Sequence, residues 1–354
     1  IGYGTAKKGD LTAPITTVNM DEMDKRTTSS PMDALQGSIP GVQVVSSGAP
    51  GSSPDVRIRG VGTFNTAGQG QGPLYVVDGV FVTDIGFLNA NDIAEMSILK
   101  DASGAAIYGV RAANGVVLIT TKKGKLNMKT RITYNSYVGV QQPKHIIQMA
   151  DGKEFANYSL QWQTAGDSGS VRQAAILYGG SGLNPTINTD WYKQILRSSA
   201  LITNHAIDVQ GGSDKITYTI GGNYTYQDGI MQYSNNFKRY NVRFQMDVRA
   251  FSWLKLGLTT TLSNSITFIP NNAAWETAFI SSPLFPVYDP VNNPYASPVK
   301  FANSGSIGRQ DANAVAQQYY NYNQYKNLQV LPTIYAEIYA WKNKITLRSQ
   351  LSQL

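Results

Sequence analysis

Residues 240 to 250 alternate without a break. The even positions carry Tyr240, Val242, Phe244, Met246, Val248 and Ala250, and the odd positions carry Asn241, Arg243, Gln245, Asp247 and Arg249. A period of two marks a strand with one apolar and one charged face. Such a strand holds its register firmly, because a one-residue slip would turn every charge over to the apolar side. The same pattern runs through 216–226, 254–262, 328–341 and 344–352, and more weakly through 131–140 and 201–210. In 216–226 the apolar face is Ile216, Tyr218, Ile220, Tyr224 and Tyr226, opposite Thr217, Thr219, Asn223 and Thr225.

These segments are about ten residues or longer, the length a tilted membrane strand requires, where globular strands average roughly 5–6. Their connections also alternate in length. Segments 211–214, 251–252 and 342–343 are short, 227–238 is intermediate, and 141–200 and 265–326 are long. Short turns on one side and long loops on the other describe an outer-membrane barrel. A soluble sandwich would alternate too, but with its apolar side inward. The expectation is therefore an antiparallel transmembrane β-barrel, with apolar faces toward lipid and Arg, Asp and Gln toward the lumen. About seven strands are readable, whereas a large plugged barrel has about 22, and open edges in lipid are not viable. The reading is that 131–354 supplies the first part of a longer barrel, with long extracellular loops at 141–200 and 265–326. The sequence opens at Ile1 without a leader and reads as processed or truncated. No apolar run approaches the roughly 20 residues of a membrane helix.

The first 124 residues read as a compact α+β unit. Short strands are expected at 15–18, 42–46, 55–59 and 74–77, with Asp78-Gly79 turning the last into 80–82. A short helix is expected at 30–37, capped by Ser30, opened by Pro31 and stopped by Gly37, and a one-turn helix at 91–96. Residues 60–72 are glycine-rich, yet no helix pattern follows, so a nucleotide-binding glycine loop is excluded. This loop offers Phe64, Asn65 and Gln69 as candidate ligand contacts, and the Asn-, Tyr- and Pro-rich 265–326 segment offers Trp275, Tyr288 and Tyr295. Aromatic and amide groups suit polar ligands, and long loops of this kind are usually functional.

Chemistry beyond binding finds little support. The chain has no cysteine, which excludes thiolate metal sites and disulfide scaffolds. Its two histidines, His145 and His205, lack partners at ligand spacing and read as structural. Asp151 and Glu154 read as helix-start residues. Net charge is +7, but the basic residues are scattered, which argues against nucleic acid.

Residues 97–124, SILKDASGAAIYGVRAANGVVLITTKKG, join the two halves. A short strand around Ile98 and Leu99 leads into a small-residue helix from Asp101 to about Tyr108. Gly109 is expected to stop that helix, Arg111 to Gly115 form a turn, and Val116 to Thr121 form a buried strand. This stretch resembles the end of the plug domain of SusC/RagA-type TonB-linked outer-membrane transporters. So do Val56-Arg57-Ile58-Arg59-Gly60, the run from Pro73 to Gly79, Asn188-Thr189-Asp190-Trp191 and Gly211-Gly212-Ser213. The resemblance implies a plug at 1–124, a tether at 125–130, and TonB-driven import of an oligosaccharide or peptide. It implies capture by a SusD-like surface lipoprotein, a TonB contact upstream of Ile1, a dimer of such pairs, and surrounding lipid and lipopolysaccharide. No cofactor and no covalent catalysis are implied. The alternatives are a siderophore or cobalamin receptor of the same architecture and, from another class, a surface adhesin.

Overall fold

The computed structural model describes residues 15–18, 30–60, 72–101, 105–162, 165–293, 299–307, 312–340 and 345–353. Its first sheet is built from β1 (Ile15–Val18), β4 (Leu74–Val77), β5 (Val80–Val82), β6 (Ile93–Leu99) and β7 (Val116–Thr121), in the order β1-β6-β7-β4-β5. Strands β4 and β7 run parallel and the other neighbours antiparallel. A separate hairpin pairs β2 (Val42–Val45) with β3 (Asp55–Ile58).

Local signals account for most of this unit. Asp78 and Gly79 both take positive φ, as a tight two-residue hairpin turn requires. The Asp78 carboxylate accepts the Thr121 N–H at 3.1 Å and hydroxyl at 2.6 Å, which fastens that hairpin to β7. Gly115 sits at φ +89, and a Cβ there would lie 2.8 Å from Ile58 Cδ1, so the Asn-Gly turn needs its glycine.

Three expectations need correction. Of the 30–37 helix only Asp33–Leu35 form a 3₁₀ turn; its cap position is Met32, without a side-chain cap, and Ser30 instead accepts the Met32 N–H at 3.3 Å. Residues 93–96 are strand, not helix: only Ala90–Asp92 form a 3₁₀ turn, capped by the Asn89 side chain. Ladders on both sides, to β1 and β7, override a weak local helix preference. Gly109 (φ 69) interrupts the following 3₁₀ segment Ala106–Ala112 but does not end it. Residues 102–104 of the expected helix lie outside the described residues.

The second sheet has seven strands in simple meander order. These are β8 (Arg131–Gln141), β11 (Ala200–Gly212), β12 (Ile216–Asp228), β13 (Asn236–Phe251), β14 (Leu254–Pro270), β15 (Tyr322–Ala340) and β16 (Ile345–Ser352). All neighbours are antiparallel, with continuous register except a bulge between Arg249 and Phe251. Strands β13, β14 and β15 run further than the alternation alone indicates, so the second excursion spans 271–321. The 342–343 turn lies outside the described residues.

The faces of this sheet reverse the ordinary soluble pattern. On β13, Arg239, Asn241, Arg243 and Gln245 are buried while Tyr240 and Val242 are exposed. Ile220, Leu256, Leu262, Val330, Ile334 and Leu347 are likewise exposed on the outer face. Aromatic pairs bracket it. Tyr224 lies against Tyr240 at 5.0 Å toward the long-loop end, and Phe251 stacks on Trp253 at 5.4 Å at the β13–β14 turn. No helix among the described residues is long and apolar enough to cross a membrane, which says nothing of strands.

The long excursions fold on each other. The first holds α1 (Gly152–Trp162), α2 (Ala165–Tyr178), a two-residue ladder of β9 (Gly180–Ser181) with β10 (Asn184–Pro185), and α3 (Trp191–Ile195). The second holds α4 (Ala273–Ile280) and α5 (Ala314–Tyr320). Asp151 and Glu154 form a reciprocal capping box at the start of α1, each carboxylate accepting the other's N–H, at 2.8 and 3.0 Å.

Candidate functional site

The inner face of the wall sheet meets the N-terminal unit along a polar seam. Its centre is Arg243, inward-facing on β13 and 1% exposed. Its Nε lies 3.3 Å from Asp92 Oδ1 of the N-terminal unit and a terminal nitrogen lies 3.3 Å from Asp208 Oδ1 on β11. Its other terminal nitrogen donates to the Lys122 carbonyl at 2.7 Å. One guanidinium thus binds two buried carboxylates and the backbone that leaves β7. Room for this comes from Gly221 on β12, where a Cβ would lie 2.9 Å from Asp208 Oδ1 and 3.4 Å from Asp92 Oδ1.

The same strand repeats the device one and two steps along. Asn241 Nδ2 donates to the Phe87 carbonyl, and Arg239 donates to the Gly86 carbonyl. Gly51 N–H donates to Gln227 Oε1 at 3.3 Å, and Gly124 N–H to Thr219 Oγ1 at 2.9 Å. Beside them Asn204, Thr225 and Asn223 hydrogen-bond in a closed ring, at 2.9, 3.0 and 3.1 Å. Buried polar groups are costly unless satisfied, and here they are satisfied largely across the seam.

Apolar contact crosses it too. Leu331 of β15 lies in the same buried cluster as Val44, Val56, Ile93, Met96 and Val117. The Phe237 ring lies where a Cβ at Gly51 would stand, 2.2 Å away. Beyond the seam the backbone leaves along the wall: Asn127 N–H donates to the Ser213 carbonyl at 2.9 Å, and Gly212 N–H to the Met128 carbonyl at 3.0 Å.

The loop cluster is the second feature. Trp191, inside the Asn188-Thr189-Asp190-Trp191 motif, is buried, donates its indole N–H to the Ser282 carbonyl at 2.9 Å and packs on Phe285 at 4.8 Å. Asn188 accepts the Gly152 N–H at 2.9 Å, and Asp190 caps α3. The motif therefore works as a clamp between the two excursions. Trp275 packs on Tyr192 at 4.9 Å and Tyr288 stacks on Phe301 at 5.3 Å; they are 41% and 47% exposed. Each ring has one face in the loop core and another open, but their ring partners differ. A hydrogen bond to Tyr233, with burial, pushes the Tyr288 phenol up to about 12. Phe64, Asn65, Gln69 and Tyr295 lie outside the described residues.

His205 faces outward on β11, with Nδ1 2.8 Å from the Tyr134 hydroxyl and Nε2 3.1 Å from Thr203 Oγ1. His145 occupies a loop at φ 56. No cluster of three metal-ligating side chains occurs among the described residues.

Sequence reasoning placed Arg243 on a lumenal face but missed its partners. Asp92 fell in a segment expected to be helix. Gly221-Gly222 inside an alternating strand was the available signal, since strand glycine often marks a close approach of other groups.

Comparison with known proteins gives a consistent result. Residues 7–116 match the family model described as the TonB-dependent receptor plug domain. The chain is 34% identical over 301 residues to the TonB-dependent receptor SusC of Bacteroides thetaiotaomicron, covering 81% of this chain and 28% of that protein. It is 37% identical over 265 residues to the TonB-dependent receptor P3 of Formosa agariphila, covering 73% and 24%. Among solved structures, the RagAB peptide importer in its open-open state matches with a TM-score of 0.79 at 26% identity, covering 99% of this chain and 41% of that one. The chain thus spans about a quarter of the length of these two curated relatives.

Proposed function

The chain belongs to the SusC/RagA-type TonB-dependent receptors of the Gram-negative outer membrane, and from that premise we propose that it forms the plug and the first wall strands of a nutrient importer. The plug is 1–124, the tether 125–130 and the wall 131–354, within a closed barrel of about 22 strands. Long excursions face outward and short turns face the periplasm. A SusD-like lipoprotein captures the nutrient above the loop cluster. TonB, driven by the proton gradient, pulls a segment upstream of Ile1 and shifts the plug.

One observation carries this reading: Arg243 is buried between a plug carboxylate and a wall carboxylate on a sheet whose opposite face is apolar and bare. A wall that is polar inside and apolar outside suits lipid, and a plug held by ion pairs and hydrogen bonds can be released without breaking covalent bonds. The height of the apolar face agrees. From Tyr240 to Phe251 is eleven residue-to-residue steps on β13. At ~3.4 Å per residue and a tilt of ~45°, that spans about 26 Å along the membrane normal, against an expected band of ~25 Å.

The proposed cargo is an oligosaccharide, held by aromatic and amide side chains such as Trp275 and Tyr288, with Phe64, Asn65, Gln69 and Tyr295 as further candidates. A peptide is the second reading, favoured by the likeness to the RagAB peptide importer. Uptake of fluorescent oligosaccharides and peptides should be compared in cells with and without the full-length protein, and with the proton gradient collapsed. Oligosaccharide entry that needs both protein and gradient is expected. Entry indifferent to either would overturn the proposal, and peptide entry alone would transfer it to the second reading.

A further inference from the structure

We propose that the outer face of the wall carries a site for the phosphate of lipopolysaccharide, formed by Lys238 and Lys326. The inference rests on the barrel-wall reading above. Register places Lys238 of β13 opposite Ile266 of β14, and Ile266 opposite Lys326 of β15. Both lysines share the side of their strands that carries Tyr240 and Val330, the exposed apolar side. They stand two strand spacings apart, about 10 Å between backbones. Two flexible lysines at that separation can close on one phosphate between them.

Their level is what gives the pair meaning. They lie one outward-facing position above Tyr240, whose ring meets Tyr224, and one below Phe268, whose ring meets Tyr322, so they sit within the aromatic girdle at the top of the apolar band. Two residues of a tilted strand rise about 5 Å along the membrane normal, which brings the amines to the phosphate layer of the outer leaflet. Among the described residues these are the only lysines on the outer face of β11 to β15.

Countercharge is scarce there. The one carboxylate on the outer face of those strands is Asp228, a step higher. It is already paired with Arg197 at 3.0 Å and accepts the Tyr226 hydroxyl at 2.8 Å. Lys238 lies over the Tyr226 ring at 5.7 Å, which steadies the cation without neutralising it. The rest of the barrel closes beside this sheet, not over its outer face, so the pair stays open to lipid. Phosphate of the outer leaflet, carried by lipid A, is the anion available at that depth.

The test uses the full-length protein in detergent, stripped of lipid. Probes are diphosphorylated lipid A, lipid A with both phosphates removed, and phosphatidylglycerol. Each interfacial lysine contributes about fivefold, so Lys238→Gln with Lys326→Gln should weaken lipid A binding roughly thirtyfold. Lys238→Arg with Lys326→Arg should keep it within about threefold of the wild type. Heat-modifiable gel mobility should be unchanged in both pairs. Equal binding of dephosphorylated lipid A, no loss in the glutamine pair, or equally tight phosphatidylglycerol would each overturn the proposal. Failure of the wall reading looks different: the wild type itself would stay in aqueous buffer without detergent and show no heat-modifiable mobility.

Discussion

Replacing Arg243 by methionine removes the cation that bridges Asp92 and Asp208, two carboxylates that its guanidinium holds at 3.3 Å each. The methionine fills similar volume, so the loss is electrostatic. Stranding a buried ion-pair partner costs about 3–5 kcal/mol. Because Asp92 belongs to the plug and Asp208 to the wall, that cost falls on the docked state and vanishes when the plug moves away. The equilibrium for plug opening should therefore rise roughly a hundred- to several thousandfold. The chain's lack of cysteine makes this measurable. Ser263 is buried on the inner side of β14 and hydrogen-bonds Asn241, so Ser263→Cys places a thiol on the face that the plug covers. Its maleimide labelling rate, in moderate urea so that the parent reacts measurably, follows the open population. Arg243→Met should accelerate labelling by the factor above. Asp92→Asn should accelerate it no more than about tenfold, because Arg243 keeps Asp208 and the cluster loses its surplus negative charge. If Arg243→Met labels within threefold of its parent, the seam is not held by this ion pair and the reasoning fails.

Gly221→Ala brings a methyl to 2.9 Å from Asp208 Oδ1; overpacking of about 1–3 kcal/mol should raise the same labelling rate some 5- to 150-fold while wall strand content by circular dichroism stays constant. Asp289 sits in the loop cluster, where burial pushes its carboxyl up but hydrogen bonds from Asn292 and Tyr178 more than offset this and hold it below the usual carboxylate range. A depressed folded value contributes stability above the unfolded value, about 3.9, and loses it as pH falls through the folded value. Asp289→Asn should thus speed protease cutting in 271–321 at neutral pH, and the gap to wild type should close as pH falls through the depressed folded value.

The wall was legible because its signal is local. Alternation with a sign, charges on one side and apolar groups on the other, identifies each strand and its facing without knowledge of its neighbours. It fades where polar residues fall on both faces, as from Tyr322 to Asn327 on β15, and the alternation there starts only at Leu328. The plug was legible in its turns: Asp78-Gly79 and Asn114-Gly115 announce their geometry in two residues. The seam was not legible, because it depends on pairs such as Asp92 with Arg243, which lie 151 positions apart. Nothing in the sequence near either residue names the other. Trp275 and Tyr288 stand out in the sequence only as loop aromatics offered as ligand contacts; the rings that position them, Tyr192 and Phe301, come from folding the two excursions together.

Leu331 has a consequence for biogenesis. Part of the plug's apolar interior is supplied by a wall strand some two hundred residues downstream of the plug's own last strand. A plug that emerges first from a translocation channel therefore has an unfilled socket until β15 arrives. Filling such a socket with a leucine side chain is worth about 1.5–3 kcal/mol, a considerable share of what holds a small domain together. The chain thereby defers completion of its plug until the barrel wall exists to receive it, and the stopper is finished in the bottle.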